Sequence, residues 1–456
     1  MSDSTVEQSS PDDNICKLNH LKKEETTKQV IEFDQEEFPE GGFGWLVVIA
    51  GWCMMATTFG MVNSFGVYQT YYQTTLNPDQ NAFKISVIGA LQPFCIYLFA
   101  IPTVTLLHHL DARVTIAIGA FIQIFGLMMM SLTTNIWQLF LTQGLLFGIG
   151  SGIVYLSGLT VVMQWFKRRR ALAMGIVSSG SSLGGVYWPI AVKKLISKVD
   201  INWTNRILGF IYIPLGVIMV VFLKPRLSLK VVHQNIGVSD EKIKTQWLPF
   251  QFNVLRNWKF LLLISSFTVT NFSLFPGLFY IDLYGQRLAQ KLGKSLVDPD
   301  YLISILNAMS LLGRVIPGIL ADMFGRMNVL IPFLILAGVT PLVLWLPSNS
   351  NQLLLSFVII WGFASGVMVS LFPTLVPQLF GVKDSQSRLG LFLAIGGIGA
   401  LFGPIICGTF IPLAVDAQGI DGFNKVAIFV GVMMLGGTIL LILLRLVYSK
   451  KLNTII

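Results

Sequence analysis

Apolar runs of roughly 20 residues, the length at which a helix crosses a hydrocarbon core of about 30 Å, recur twelve times along the chain. They lie near 45–72, 85–107, 114–133, 136–165, 170–192, 206–223, 260–284, 301–324, 328–346, 352–378, 389–412 and 425–446. The pattern predicts twelve membrane-spanning helices joined by short polar connections. Three polar stretches stand outside this rhythm. Residues 1–39 are rich in acids (Asp12, Asp13, Glu24, Glu25, Glu36, Glu37) and have too little apolar surface to offset ordering entropy, which predicts a disordered tail. Residues 224–259 read as a hydrophilic linker between two bundles, 40–223 and 260–448, and 449–456 as a closing tail. The tail at the start has no early apolar run, so the first span is expected to direct insertion itself, without a cleavable signal.

Composition narrows the class. Of 456 residues, 54% are hydrophobic and 12% charged, a balance that fits an all-α, multi-pass membrane protein and no soluble domain of this length. If both termini are cytoplasmic, that side collects 22 of the 32 Lys and Arg, chiefly in "KRRR" (Lys167 to Arg170) and between Lys224 and Lys259. The positive-inside rule therefore predicts cytoplasmic termini, with Lys193, Lys194, Lys198 and Arg206 counting against it. The net charge of +9 then reflects topology, so no nucleic-acid partner is expected. Among membranes, the plasma membrane is expected ahead of vacuolar or other internal ones. Cys16, Cys53, Cys95 and Cys407 show no paired spacing, so neither disulfide nor metal site is expected. No nucleophile, base and metal-ligand set occurs within the spans, and no G-x-x-x-x-G-K-[ST] loop is present. Enzymatic activity, ATP-driven pumping and a cofactor are accordingly not expected. The expected partners are a small-molecule solute and membrane lipid, with an accessory subunit left open.

A long internal repeat organises the spans. "FGIGSGIVYLSGLTVVMQWF" (147–166) aligns without gaps on "WGFASGVMVSLFPTLVPQLF" (361–380) with seven identities, at an offset of 214 residues. "HLDAR" (109–113) and "ILADMFGR" (319–326), aligned on Asp111 and Asp322, repeat at an offset of 211. Two parallel six-span halves follow, the plan of major facilitator transporters, with a midplane site between the halves. "GILADMFGR" (318–326) resembles the G-x-L-x-D-x-x-G-R loop signature of that superfamily at all five fixed positions. The resemblance implies a gate in which Asp322 and Arg326 pair across helix ends, with Asp111 and Arg113 as the first-half counterpart.

Two further stretches carry a finer resemblance. Glu40, Gly41, Gly42, Phe43, Gly44 and Trp45 resemble the signature that opens helix one of the monocarboxylate porter family. An acid there suits the positive end of a helix, and Phe43 and Trp45 suit the interface. "WFKRRRALAMGIVSSGSSLGG" (165–185) resembles the family's helix-five signature through Trp165, Lys167, Arg168, Arg169, Leu172, Ala173 and Gly175. Its four cations are expected at the membrane surface. "NSFGVYQTYY" (63–72) looks more like fungal members than animal ones.

One residue breaks the apolar rhythm. Arg314 lies 13 residues past Tyr301 and 11 before Gly325, about 20 Å and 16 Å along a helix, which puts it near the midplane. An arginine there costs at least about 2.5 to 3.5 kcal/mol on insertion scales, so it should face a water-filled cavity or an anion. No Asp or Glu occurs in the interior of any span. Two readings follow: a structural arginine capped by backbone carbonyls, or one that waits for an anionic solute. The family's lactate carriers have such an arginine on helix eight, with a glycine four residues on, as Gly318 follows Arg314. They also place an aspartate where this chain has Ser310 and a lysine where it has Asn63, so the resemblance puts proton-coupled lactate transport in doubt. Asn307, Ser310 and Arg314 share one helix face. The candidate solute-binding set is Arg314, Ser310, Asn307, Asn63, Tyr155 and Asn271.

The expectation is thus a secondary transporter moving a small organic solute by alternating access, a monocarboxylate-like anion being the first choice. A carrier of a neutral or larger solute such as riboflavin, known among fungal relatives, is the alternative. A non-transporting receptor or scaffold on the same fold is the alternative of another class.

Overall fold

The computed structural model describes residues 39–72, 82–226, 252–293, 296–297, 299–348, 350–381, 385–411 and 421–449. The expectations for tail residues 1–38, for linker residues 227–251 and for 450–456 lie outside these. Among the described residues, eleven helices are long and apolar enough to cross a membrane. We label them α1 (Phe43–Gln69), α2 (Val87–His109), α3 (Ala112–Met130), α4 (Ile136–Met163), α5 with α6 (Arg170–Phe222), α7 (Trp258–Leu292), α8 (Leu302–Phe324), α9 (Arg326–Trp345), α10 (Asn351–Phe380), α11 (Ser385–Phe410) and α12 (Gly422–Tyr448).

Where twelve separate spans were expected, the fifth and sixth run on as one 53-residue helical stretch broken at Asp200, whose backbone turns to φ 78° and ψ 169°. We call 170–199 α5 and 201–222 α6. The polar residues 193–205, read as a loop, continue the helices on either side of that break. Local hydrogen bonds fix the break: the Asp200 side chain accepts from the Asn202 amide, and the Thr204 hydroxyl donates to the Asp200 carbonyl. Helix α1 is also interrupted. It is regular over Phe43–Thr57, departs from helical geometry at Thr58 (φ −91°, ψ −89°), and resumes as Phe59–Val62 and Phe65–Tyr71. The Thr57 and Thr58 hydroxyls donate to the Met54 carbonyl at 3.0 and 2.8 Å, so that one acceptor is shared between two side chains and the Thr58 amide, which reaches it at 3.0 Å.

Helices α1–α6 pack among themselves, as do α7–α12, and the two sets meet along α5 with α8 and along α2 with α11. The repeat read from the sequence is visible in the packing. A Cβ on Gly148 of α4 would sit 2.6 Å from the Cys95 Cβ of α2, and one on Gly362 of α10 would sit 2.6 Å from the Leu306 carbonyl of α8. One turn on, Gly152 faces the Ile96 carbonyl (2.8 Å) and Gly366 the Ser310 carbonyl (2.6 Å). Only small residues allow helix backbones so close, the usual basis of packing where lipid supplies no hydrophobic drive. The outer surface is apolar, with Phe121, Val217 and Ile439 among its exposed residues.

Candidate functional site

A cavity of about 30 Å³ lies between the halves, bordered by Phe59, Asn63, Tyr97 and Ser181 on one side and by Phe275, Asn307, Ser310 and Arg314 on the other. It has room for water and none for an organic solute. Arg314 is 7% exposed. Its Nε donates to Ser310 Oγ at 3.2 Å on its own helix, and its Nη1 donates to the Ser178 carbonyl of α5 at 2.5 Å and to Ser181 Oγ. Every one of these acceptors is neutral. Among the described residues, no carboxylate borders the cavity and Nη2 has no acceptor. The guanidinium therefore ties the two halves together at the cavity border, with Nη2 left without a protein acceptor among the described residues.

A second bond crosses between the halves beside it. Asn63, at the second interruption of α1, donates through Nδ2 to Asn307 Oδ1 at 3.1 Å and to the Ser181 carbonyl at 3.4 Å, while Asn307 Nδ2 donates to the Ile303 carbonyl at 3.0 Å. Gly185 makes this crossing possible, since a Cβ there would lie 2.6 Å from both amides. Aromatic rings close the first-half wall: Phe59 lies 5.5 Å from Tyr97, and Tyr97 lies 6.5 Å from Phe275 across the interface.

Of the residues singled out in the sequence, Arg314, Ser310, Asn307 and Asn63 come together here. Two do not. Tyr155 stands one layer back, its ring 5.1 Å from Phe59 and 6.3 Å from Tyr97, outside the cavity border. Asn271 faces α11 within its own half, where a Cβ on Gly399 would sit 2.9 Å from its Cβ, and its amide donates back to the Phe267 carbonyl. Sequence reasoning missed Ser181, Phe59 and Tyr97 as cavity residues. Ser181 carries no signal of its own in a stretch reading "SSGSS", and aromatic residues are common in every span.

Loop residues bond the two halves together at one end of the bundle. Asp322 accepts from the α5 amides of Ala171 and Leu172 at 3.0 and 2.8 Å, so a carboxylate of one half caps the first turn of a helix of the other. Its pairing with Arg326, expected as the main contact, is only a 3.9 Å approach within one turn. Arg326 instead donates to the Thr374 carbonyl (3.3 Å), Gln378 Oε1 (3.2 Å) and the Lys167 carbonyl (3.4 Å). Asp111 and Arg113 do not join this cluster. Asp111 is exposed and accepts from Ala112 at the start of α3, and among the described residues neither side chain bonds to the second half. The surface role expected of all four cations of "KRRR" fails for Arg170, which is buried and donates to the Phe166 and Met163 carbonyls.

A helical membrane protein with two repeated bundles and a small cavity between them has the architecture of secondary solute transporters. The chain belongs to the Major Facilitator Superfamily, whose sequence profile matches residues 44–404 and 283–454. It is similar to the MFS transporter asaE of Aspergillus flavus, 36% identical over 412 residues covering 90% of this chain and 88% of that one. It is also similar to the agnestins efflux protein AgnL12 of Paecilomyces divaricatus, 32% identical over 88% of this chain and 87% of the relative. A solved structure of a point mutant of the nucleoside transporter NupG shares the fold, with a TM-score of 0.60, 14% identity, and coverage of 88% of this chain and all of that one. The protein is therefore a transporter of small organic solutes and not an enzyme, and the two relatives just described are fungal.

Proposed function

We propose that the chain carries an organic anion with an apolar body, by alternating access of the cavity at Arg314 to the two membrane faces. The observation that carries this reading is the guanidinium itself: it stands in an inter-half cavity, bonded to neutral oxygens alone, with the Nη2 edge free of protein acceptors among the described residues. A carboxylate entering the cavity takes that edge and competes with Ser181 for Nη1, exchanging a neutral hydrogen bond for a charge-assisted one. The bond lost is one that joins the halves. Solute binding and loosening of the interface are thus a single event at one side chain. Phe59, Tyr97 and Phe275 supply the apolar wall, which suits a body larger than that of lactate.

The helix-one and helix-five signatures support placement near the monocarboxylate porters, with Ser310 and Asn63 in the places of that family's proton-coupling aspartate and lysine. A carrier so built moves its anion without obligatory proton symport. With the termini cytoplasmic, Asp322 and Arg326 form the cytoplasmic gate, closed in this conformation, and the membrane is the plasma membrane. Thermal-shift titration of the purified protein with lactate, benzoate and riboflavin tests the reading, repeated on Arg314→Ala. Stabilisation by benzoate that vanishes in the variant is the expected result. Equal stabilisation of both proteins by riboflavin, with none by either carboxylate, would establish the neutral-solute alternative instead.

A further inference from the structure

The acid that opens α1 does not cap α1. Glu40 reaches across its own half to the turn that leads into α5, where Oε1 accepts from the amides of Lys167 (2.7 Å) and Arg168 (2.5 Å) and Oε2 from that of Arg169 (3.1 Å). Successive amides pointing at one anion form a nest, a concave site whose geometry the anion itself holds. The Glu40 amide donates to the Trp165 carbonyl at 3.4 Å. Rings reinforce the contact, with Phe43 5.5 Å from Trp165 and Trp45 5.2 Å from Phe166. Glu40 adopts φ 52°, the left-handed region that disfavours a side chain, although glycines follow at 41 and 42. Backbone strain at a residue whose carboxylate meets three amides points to a use for that carboxylate.

Beyond Arg170, the amides of Ala171 and Leu172 belong to Asp322. Five N–H groups between Lys167 and Leu172 are therefore held by two carboxylates, one from the same half and one from the opposite half. When the halves separate, the Asp322 bonds must break, whereas the Glu40 bonds lie within one bundle and persist. We propose that Glu40 is a positioning residue of the gate: it fixes the turn before α5 so that Ala171 and Leu172 present their amides where Asp322 can cap them. This rests on the gating role given to Asp322.

Hydrogen exchange of the full chain in lipid nanodiscs, resolved to single amides, separates the two claims. Glu40→Ala is expected to speed exchange on the order of tenfold at Lys167, Arg168 and Arg169 and also at Ala171 and Leu172, although Asp322 is intact. Asp322→Ala is expected to speed exchange at Ala171 and Leu172 only. Glu40→Gly removes the carboxylate while relaxing the backbone and should match Glu40→Ala; restored protection at Ala171 and Leu172 would overturn the proposal. Glu40→Gln keeps one acceptor oxygen and should fall between, and it carries the test if the alanine variant does not fold. Unchanged amides in α10 between Gly362 and Ser370 confirm folding. If Glu40→Ala frees only residues 167–169, Glu40 is a local cap and the proposal fails with the gate intact. If Asp322→Ala leaves Ala171 and Leu172 protected, the gate reading itself falls.

Discussion

Helices α2 and α8 occupy equivalent places in the two halves, 211 residues apart, and their differences locate the transporter's asymmetry. Ser310 of α8 corresponds to Phe99 of α2, and Arg314 to Thr103. The same glycine contacts hold both helices: a Cβ on Gly152 would lie 3.0 Å from the Phe99 Cβ, as one on Gly366 would lie 2.9 Å from the Ser310 hydroxyl. Thr103 turns its hydroxyl onto the Phe99 carbonyl of its own helix at 2.6 Å, so its one donor is satisfied within the helix. Arg314 extends to α5 of the other half. The helix ends differ in the same sense, because Asp111 caps the helix that follows it while Asp322 caps one across the interface. One scaffold, used twice, thus provides an uncharged wall in the first half and, in the second, both the charge and a carboxylate bonded across the interface.

The largest effect expected from this contrast is at the charge. Arg314→Ala should lower uptake of an anion identified by the thermal-shift panel at least about 100-fold, the scale of losing two charge-assisted bonds. Thr103→Ala, the equivalent change in α2, should leave uptake within about twofold, since it removes only an intrahelical bond in membrane. Comparable losses in both variants would show that the two positions serve packing alike.

The carboxylate across the interface comes next. With Cys16→Ser and spin labels at Lys167→Cys and Met323→Cys, Asp322→Asn should shift the distance distribution about tenfold toward separated halves, the weight of one charge-assisted bond across the interface. Asp111→Asn should not move it, since its carboxylate serves only α3. Cys53, Cys95 and Cys407 are buried and should not compete for label. A matching shift in Asp111→Asn would mean that the gate is symmetric.

How far these features are legible in sequence depends on whether a residue's partner is local. The spans and the repeat are legible because every lipid-crossing helix must be apolar over a fixed length, and because the repeat preserves its packing glycines. The depth of Arg314 follows from helical rise alone. Its partners do not: Ser178 and Ser181 lie more than 130 residues away and look like the small polar residues found at any membrane helix contact. The same limit hid the reach of Glu40 to Lys167, 127 residues distant, behind a plausible local role at the start of α1. Asn271 shows the converse. A lone amide in a span reads as a ligand, yet here it fills a contact with α11. The helical run through 193–205 was obscured by polarity, which at a membrane surface is compatible with helix as well as loop.

A smaller effect belongs to the amide pair that joins α1 to α8. In a double-mutant cycle of Asn63→Ala and Asn307→Ala, thermal unfolding should report a coupling of about 0.6 kcal/mol, the mean for hydrogen bonds between membrane helices and roughly a threefold equilibrium change. A coupling near zero would mean that the 3.1 Å contact contributes no more than its neighbours' packing.

The smallest expected effect bears most directly on mechanism. Wild-type uptake of the same anion should vary less than about twofold between external pH of about 5.5 and 7.5, because Ser310 and Asn63 cannot exchange a proton in that range. Ser310→Asp supplies the contrast. Its carboxylate would stand where the Ser310 hydroxyl now accepts from Arg314 Nε at 3.2 Å, neutralising the guanidinium when ionised and releasing it when protonated. Uptake by this variant should therefore rise as pH falls, since only the protonated form leaves Arg314 available to the solute. A wild-type carrier that already showed such acid dependence would require a proton-carrying group elsewhere in the chain, and the division between an uncharged wall in the first half and a charge in the second would have to be redrawn around it.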